Sequence, residues 1–240
     1  MTQNERLFSR LDQVRAWSVH VYTAIGGVIG MFALYAAASG DIRSSFLLQA
    51  VSMMIDATDG ILARRYRVRE VLPGFDGAMV DNVIDMLTFV WLPVFIMWQA
   101  ALLPHVLWTI VPLLAGLYAY GQTEMKTPDN FFLGFPCYWN LVALYLYLLQ
   151  PVGWLAVATI TLFAVLTFIP TRYLYPSKNE VYWRITWALG AVWFVMVMVL
   201  LLQDMPARWL ILVSLFYPLY YMVLSFVIDY RVRRGLPVGK

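Results

Sequence analysis

Long apolar runs separated by short polar stretches set the frame of this chain. Eight such runs cover residues 17–38, 46–63, 77–102, 105–120, 135–149, 152–169, 181–202 and 209–228. A helix needs about 20 apolar residues to cross a bilayer. Inside the runs, apolar and polar positions do not alternate at the period of two that a lipid-facing barrel strand requires. The pattern therefore predicts an all-α integral membrane protein, a bundle of about eight transmembrane helices. Ahead of the first run, Leu7, Phe8, Leu11, Val14 and Trp17 recur at helical spacing with Arg6, Arg10 and Arg15 between them. That periodicity predicts an amphipathic helix over 1–16 lying in the membrane interface. Gly26 and Gly30 form a small-xxx-small pair of the kind that lets two helices pack closely. There is no internal repeat and no low-complexity linker, so residues 1–240 read as a single membrane-embedded domain.

Composition agrees. Of the 240 residues, 62% are hydrophobic and only 13% charged, against about a quarter charged in a soluble domain. The charges that remain are sorted. With eight crossings and a cytoplasmic N-terminus, the inner segments hold Arg6, Arg10, Arg15, Arg64, Arg65, Arg67, Arg69, Lys126, Arg172, Lys178, Arg184, Arg231, Arg233, Arg234 and Lys240. The outer loops hold Arg43 and Arg208, which completes the 17 basic residues. This positive-inside bias predicts that both termini are cytoplasmic. The basic residues then serve topology, and the connector arginines Arg65, Arg67 and Arg69 suit anionic lipid headgroups, so no nucleic-acid partner is expected. The N-terminal stretch lacks the short apolar core and cleavage site of a signal peptide. One cysteine, Cys137, and two histidines, His20 and His105, leave no material for a disulfide framework or a thiolate or histidine metal site. His20 reads as a satisfied histidine of the bundle.

Four carboxylates fall at the cytoplasmic ends of the second and third runs, where charge is expensive unless it faces a polar cavity. Asp56, Asp59, Gly60, Ala63 and Arg64 lie three or four residues apart along one helical face. Gly77, Asp81 and Asp85 follow at steps of four along a second. Antiparallel neighbours would bring these faces together. Four ionised carboxylates in a low-dielectric pocket repel. One or two divalent cations relieve that repulsion, and all-oxygen ligands favour hard ions, Mg²⁺ or Mn²⁺. Gly60 and Gly77 remove side chains where something bulky approaches the backbone. Arg64 adds a fork of donors suited to phosphate. The 56–85 stretch is thus the predicted catalytic motif.

At these positions the chain resembles the CDP-alcohol phosphatidyltransferase family, whose pattern D-x2-D-G-x2-A-R, spacer, G-x3-D-x3-D is met by Asp56, Asp59, Gly60, Ala63, Arg64, Gly77, Asp81 and Asp85. The spacer, residues 65–76, is four longer than the eight common in the family. In that, and in the stretch 126–140, the chain looks like the phosphatidylcholine synthase branch. The resemblance implies transfer of the phosphatidyl group of CDP-diacylglycerol to choline in a bacterial inner membrane, with phosphatidylcholine and CMP as products. It assigns Asp56, Asp59, Asp81 and Asp85 to Mn²⁺ or Mg²⁺, and Asp85 to general-base catalysis. Asp56, Gly60, Ala63, Arg64 and Gly77 are assigned to the CDP diphosphate. A homodimer is expected on the same ground.

A quaternary ammonium is recognised by aromatic faces, and Phe131, Phe135, Tyr138 and Trp139 cluster on the predicted cytoplasmic side as candidate choline contacts. Two rival readings differ in chemistry. Another family member would use serine, inositol phosphate or glycerol phosphate as acceptor. A cation-coupled transporter would also bury carboxylates, but with inverted repeats and broken helices at the midplane, neither of which the pattern contains.

Overall fold

The structure is a computed structural model that describes residues 8–237 apart from 124, 177, 179 and 180. Helix accounts for 74% of the chain, and among the described residues five helices are long and apolar enough to cross a membrane. These are Arg10–Ala38, Ile42–Arg65, Gly77–Gln99, Trp183–Leu202 and Arg208–Arg233. Three shorter apolar helices, Val106–Gly121, Trp139–Leu149 and Gly153–Phe168, occupy the other predicted runs. The chain divides into two compact units, residues 1–92 and 93–240.

The first unit opens with α1, Arg10–Ala38. Ser9 caps it through a reciprocal pair. Its Oγ accepts the N–H of Asp12 at 3.2 Å, and the Asp12 carboxylate accepts the N–H of Ser9 at 3.0 Å. The stretch expected to form an interfacial helix, 1–16, is described in part. Residues 10–16 are the first two turns of the 29-residue α1, because no proline, glycine or cap lies between Gln13 and Trp17 to stop the helix. Residues 1–7 of that stretch lie outside the described residues. A turn at Gly40, with φ +86, reverses the chain. Asp41 then caps α2, Ile42–Arg65, by accepting the Ser44 N–H at 3.1 Å.

A stripe of small residues lets α1 pack tightly. A Cβ on Gly26 would lie 3.1 Å from Ile55 Cγ2 of α2, and one on Gly30 would lie 2.8 Å from Thr88 Cγ2. Polar bonds reinforce the α1–α2 contact. Tyr22 and Thr58 share a hydroxyl–hydroxyl bond of 2.9 Å, and Ser52 donates to the Gly26 carbonyl at 2.9 Å. The long spacer folds into a short helix, α3, Val68–Val71. Val68 and Val71 pack on Ala16 and Val19 of α1, with Ala63 and Leu62 against the same cluster. Arg67, in the left-handed region, donates to Glu70 and holds its carboxyl below the usual range. The third long helix begins as α4, Gly77–Asp85, passes through a π-helical turn, Met86–Trp91, and continues as α5, Leu92–Gln99.

In the second unit, a 3₁₀ turn, Val106–Thr109, leads into α6, Ile110–Gly121. Then come α7, Trp139–Leu149, α8, Gly153–Phe168, α9, Trp183–Leu202, α10, Arg208–Ser214, and α11, Phe216–Arg233. Tyr145 is a buried polar hub. Its hydroxyl accepts from Trp193 Nε1 at 2.9 Å and donates to the Ser214 carbonyl at 2.9 Å, which joins α7, α9 and α10. The all-helical prediction overlooked one small element, an antiparallel pair of three-residue strands. β1 is Phe131–Leu133 and β2 is Arg172–Leu174, with Phe132 opposite Tyr173. One face of α11 takes up the outer edge of β2. Asp229 accepts the Arg172 N–H, Ser225 accepts the Leu174 N–H, and Tyr221 donates to the Leu174 carbonyl, at 3.0, 3.1 and 2.8 Å. Backbone groups buried here must be paired, and the four-residue spacing of Tyr221, Ser225 and Asp229 supplies the partners.

Candidate active site

Two helices bring the motif together. Asp56 stands on α2, and Asp81 and Asp85 stand one turn apart on α4. One carboxylate oxygen from each of the three lies within 4.8 Å of the others, and all three residues are half-buried. α4 starts where it does because Asp76 caps it, accepting the Met79 N–H at 3.1 Å. That start places Asp81 and Asp85 on a common face, as their four-residue spacing predicts.

Asp59 has a different environment. It is 7% exposed, and its Oδ2 accepts the hydroxyl of Thr23 on α1 at 2.7 Å. It lies outside the group of three. The reason is angular, since a step of three residues falls about 60° short of a full helical turn. Asp56 therefore faces α4 while Asp59 faces α1.

The two motif glycines differ as well. Among the described residues, and apart from the backbone of its own helix, a Cβ on Gly60 would have the Arg64 Nη1 at 3.4 Å as its one neighbour within 4 Å, so the backbone there borders open space beside a guanidinium. At Gly77 the space is filled. A Cβ would lie 2.4 Å from His20 Cε1 and 3.0 Å from its Nδ1. The His20 ring is itself held by Phe75 at 4.4 Å and Trp17 at 5.7 Å between ring centroids. Among the described residues its Nε2 is buried and makes no hydrogen bond, so His20 is not the satisfied bundle histidine expected. Arg64 is exposed at the end of α2, and Ala63 packs on the α1–α3 cluster.

The aromatic candidates belong to the second unit. Phe131, Phe135 and Trp139 are buried, and Tyr138 is half-buried. Phe135 meets Tyr138, Trp139, Phe163 and Tyr173, with ring centroids 4.7–6.3 Å apart. Tyr138 also stands edge-on to Tyr221 at 5.6 Å. Tyr173 and Tyr221 escaped the sequence reading because they are remote in the chain.

The three carboxylates from two helices form a group of acidic oxygens that could hold a metal ion. No family model matches the chain. Curated relatives do. A phosphatidylcholine synthase of Pseudomonas aeruginosa is 34% identical over 210 residues, covering 86% of this chain and 88% of that protein. One from Rhizobium meliloti is 32% identical over 228 residues, covering 93% and 94%. One from Legionella pneumophila is 41% identical over 171 residues, covering 69% and 66%. At this identity over most of its length, the chain belongs to the phosphatidylcholine synthase family, and it is a multi-pass membrane phosphatidyltransferase.

Proposed function

We propose that this enzyme moves the phosphatidyl group of CDP-diacylglycerol onto choline, and that it does so at the carboxylates of α2 and α4. The observation that carries the reading is the convergence of Asp56, Asp81 and Asp85 within 4.8 Å, in a chain related along most of its length to phosphatidylcholine synthases. A diphosphate substrate brings negative charge toward these acids. The donor set, all carboxylate oxygen, fits Mg²⁺ or Mn²⁺. Asp56, Asp81 and Asp85 would hold the ion, with Asp59, anchored by Thr23, assigned to the same centre. When bound, it supplies charge neutralisation to the diphosphate.

The remaining chemistry belongs to the side chains. Arg64 binds the diphosphate beside the open backbone of Gly60, with Ala63 and Gly77 lining the nucleotide pocket. Asp85 accepts the hydroxyl proton of choline. The choline oxygen then bonds to the phosphorus that carries diacylglycerol. The bond from that phosphorus to the bridging oxygen breaks, and CMP leaves with the electron pair. Aromatic faces suit the trimethylammonium, and Phe131, Phe135, Tyr138 and Trp139 are assigned to it. The site faces the cytoplasm of a bacterial inner membrane, with both termini on that side, and the enzyme works as a homodimer.

Purified enzyme given CDP-diacylglycerol and Mn²⁺ should release CMP with choline, and not with serine, glycerol phosphate or inositol phosphate. Turnover with one of those acceptors in place of choline would overturn the acceptor assignment. Tyr138→Ala should raise the choline KM and leave the KM for the lipid donor unchanged.

A further inference from the structure

The helix that carries Asp81 and Asp85 is not regular beyond Asp85. Its π-helical turn covers Met86–Trp91, and Leu92 donates its N–H to Leu87, five residues back. Single π-turns are rare and tend to sit at functional sites. This one has a consequence for the Thr88 carbonyl. At α spacing its donor would be Leu92, which is committed to Leu87. At π spacing its donor would be residue 93, which is proline and has no N–H. A carbonyl inside a membrane bundle needs a partner. Gln49 of α2 provides it, with Nε2 at 2.6 Å from the Thr88 oxygen. The carbonyl can only accept, so the amide nitrogen is the atom that faces it. Gln49 and Thr88 are each 4% exposed. The Thr88 hydroxyl in turn reaches back to the carbonyls of Ile84 at 3.0 Å and Asp85 at 3.5 Å.

We propose that Gln49 is a positioning residue for the transfer reaction. By capping the Thr88 carbonyl it holds the π-turn in register and so fixes the direction in which Asp85 leaves the helix toward Asp56 and Asp81. A shift of that register by one residue would rotate Asp85 by about 100° relative to the segment anchored beyond it. The inference rests on the reading that Asp85 belongs to the catalytic cluster. Gln49 touches neither substrate nor ion. It acts through the backbone of Thr88.

The test compares Gln49→Leu with wild type in detergent micelles, with Asp85→Asn alongside. Gln49→Leu keeps the bulk and removes the donor. Per folded molecule, kcat should fall roughly 10- to 100-fold, the scale of a displaced catalytic group, with the choline KM little changed. The Mn²⁺ concentration giving half of the metal-induced rise in melting temperature should increase, a readout independent of turnover. Adding Pro93→Ala returns an N–H to residue 93, and the double variant should recover part of both losses. If Gln49→Leu does not fold, Gln49→Asn carries the same expectation, because its amide is one methylene too short. Wild-type kcat and Mn²⁺ response in folded Gln49→Leu, with Asp85→Asn inactive, would overturn the inference alone. No recovery on adding Pro93→Ala would overturn the Thr88 carbonyl as the link. Normal turnover in Asp85→Asn would instead overturn the reading of the cluster.

Discussion

The hydroxyl of Thr23 donates to Asp59 Oδ2 at 2.7 Å, tying the first long helix to the motif helix at a residue that the family resemblance assigns to metal. Both side chains are buried, so the bond is made where an unpaired carboxylate oxygen is costly. Thr23→Val keeps the shape and deletes the donor. The expected loss is about 1–3 kcal/mol of stability, the penalty for leaving a buried acceptor unsatisfied, together with a clear drop in CMP release. Thr23→Ser should restore both. Thermal unfolding and CMP release of the three proteins check this. An unchanged Thr23→Val enzyme would show that the orientation of Asp59 does not matter.

The three converging carboxylates set a second expectation. Asp56→Asn, Asp81→Asn and Asp85→Asn each remove one negative charge from a group whose oxygens lie within 4.8 Å. Such charges repel, and without a cation the native cluster is strained. Each substitution should therefore leave the folded protein as stable as wild type or more so in chelator, while turnover falls by orders of magnitude. Chelator alone should abolish wild-type turnover, with recovery on adding Mn²⁺ or Mg²⁺. Turnover that survives complete chelation would remove the metal from the proposal.

Membrane crossings give a third. Five helices have the length to cross, but α7 has 11 residues, about 16 Å at 1.5 Å per residue. A bilayer core is about 30 Å thick. Gln150, left-handed with φ +43, and Pro151 turn the chain between α7 and α8. Eight crossings require Gln150 on the outer side, along with Gly40, Pro104 and Asp204. Cysteine labelling from outside the cell at these four positions tests this. Labelling at the other three without Gln150 would mean that α7 and α8 enter and leave on one side.

The motif residues could be recognised in the sequence because their relations are local. Asp81 and Asp85 need one helix and a step of four to share a face, and the structure has them so. Asp59 was grouped with Asp56 on the same reasoning. Its actual neighbour, Thr23, depends on how α1 lies against α2, which small residues such as Gly26 decide and no periodicity records. The π-turn was hidden for another reason. Pro93 signals a missing donor, but whether the helix kinks, breaks or shifts register depends on a side chain 44 residues earlier, Gln49. The two short strands escaped because three residues carry no usable period. Predicted spans and observed helices agree in place because apolar length is a property of composition alone.

Gly77 and His20 decide what the second motif glycine is for. The resemblance places Gly77 against the nucleotide. In the structure its missing Cβ makes room for the His20 ring, 2.4 Å from where that Cβ would be. The ring has little freedom to retreat, being packed on Phe75 and Trp17. Gly77→Ala should therefore lower the melting temperature and abolish turnover. Adding His20→Ala vacates the space. If the nucleotide also approaches this backbone, the double variant recovers its melting temperature without recovering turnover, and that is the expected result. The donor KM of any residual activity should then stay raised. Recovery of melting temperature and turnover together would assign Gly77 to helix packing and remove it from the pocket. The measurement needs only the two single variants and the double, unfolded by heat and assayed for CMP release at saturating choline.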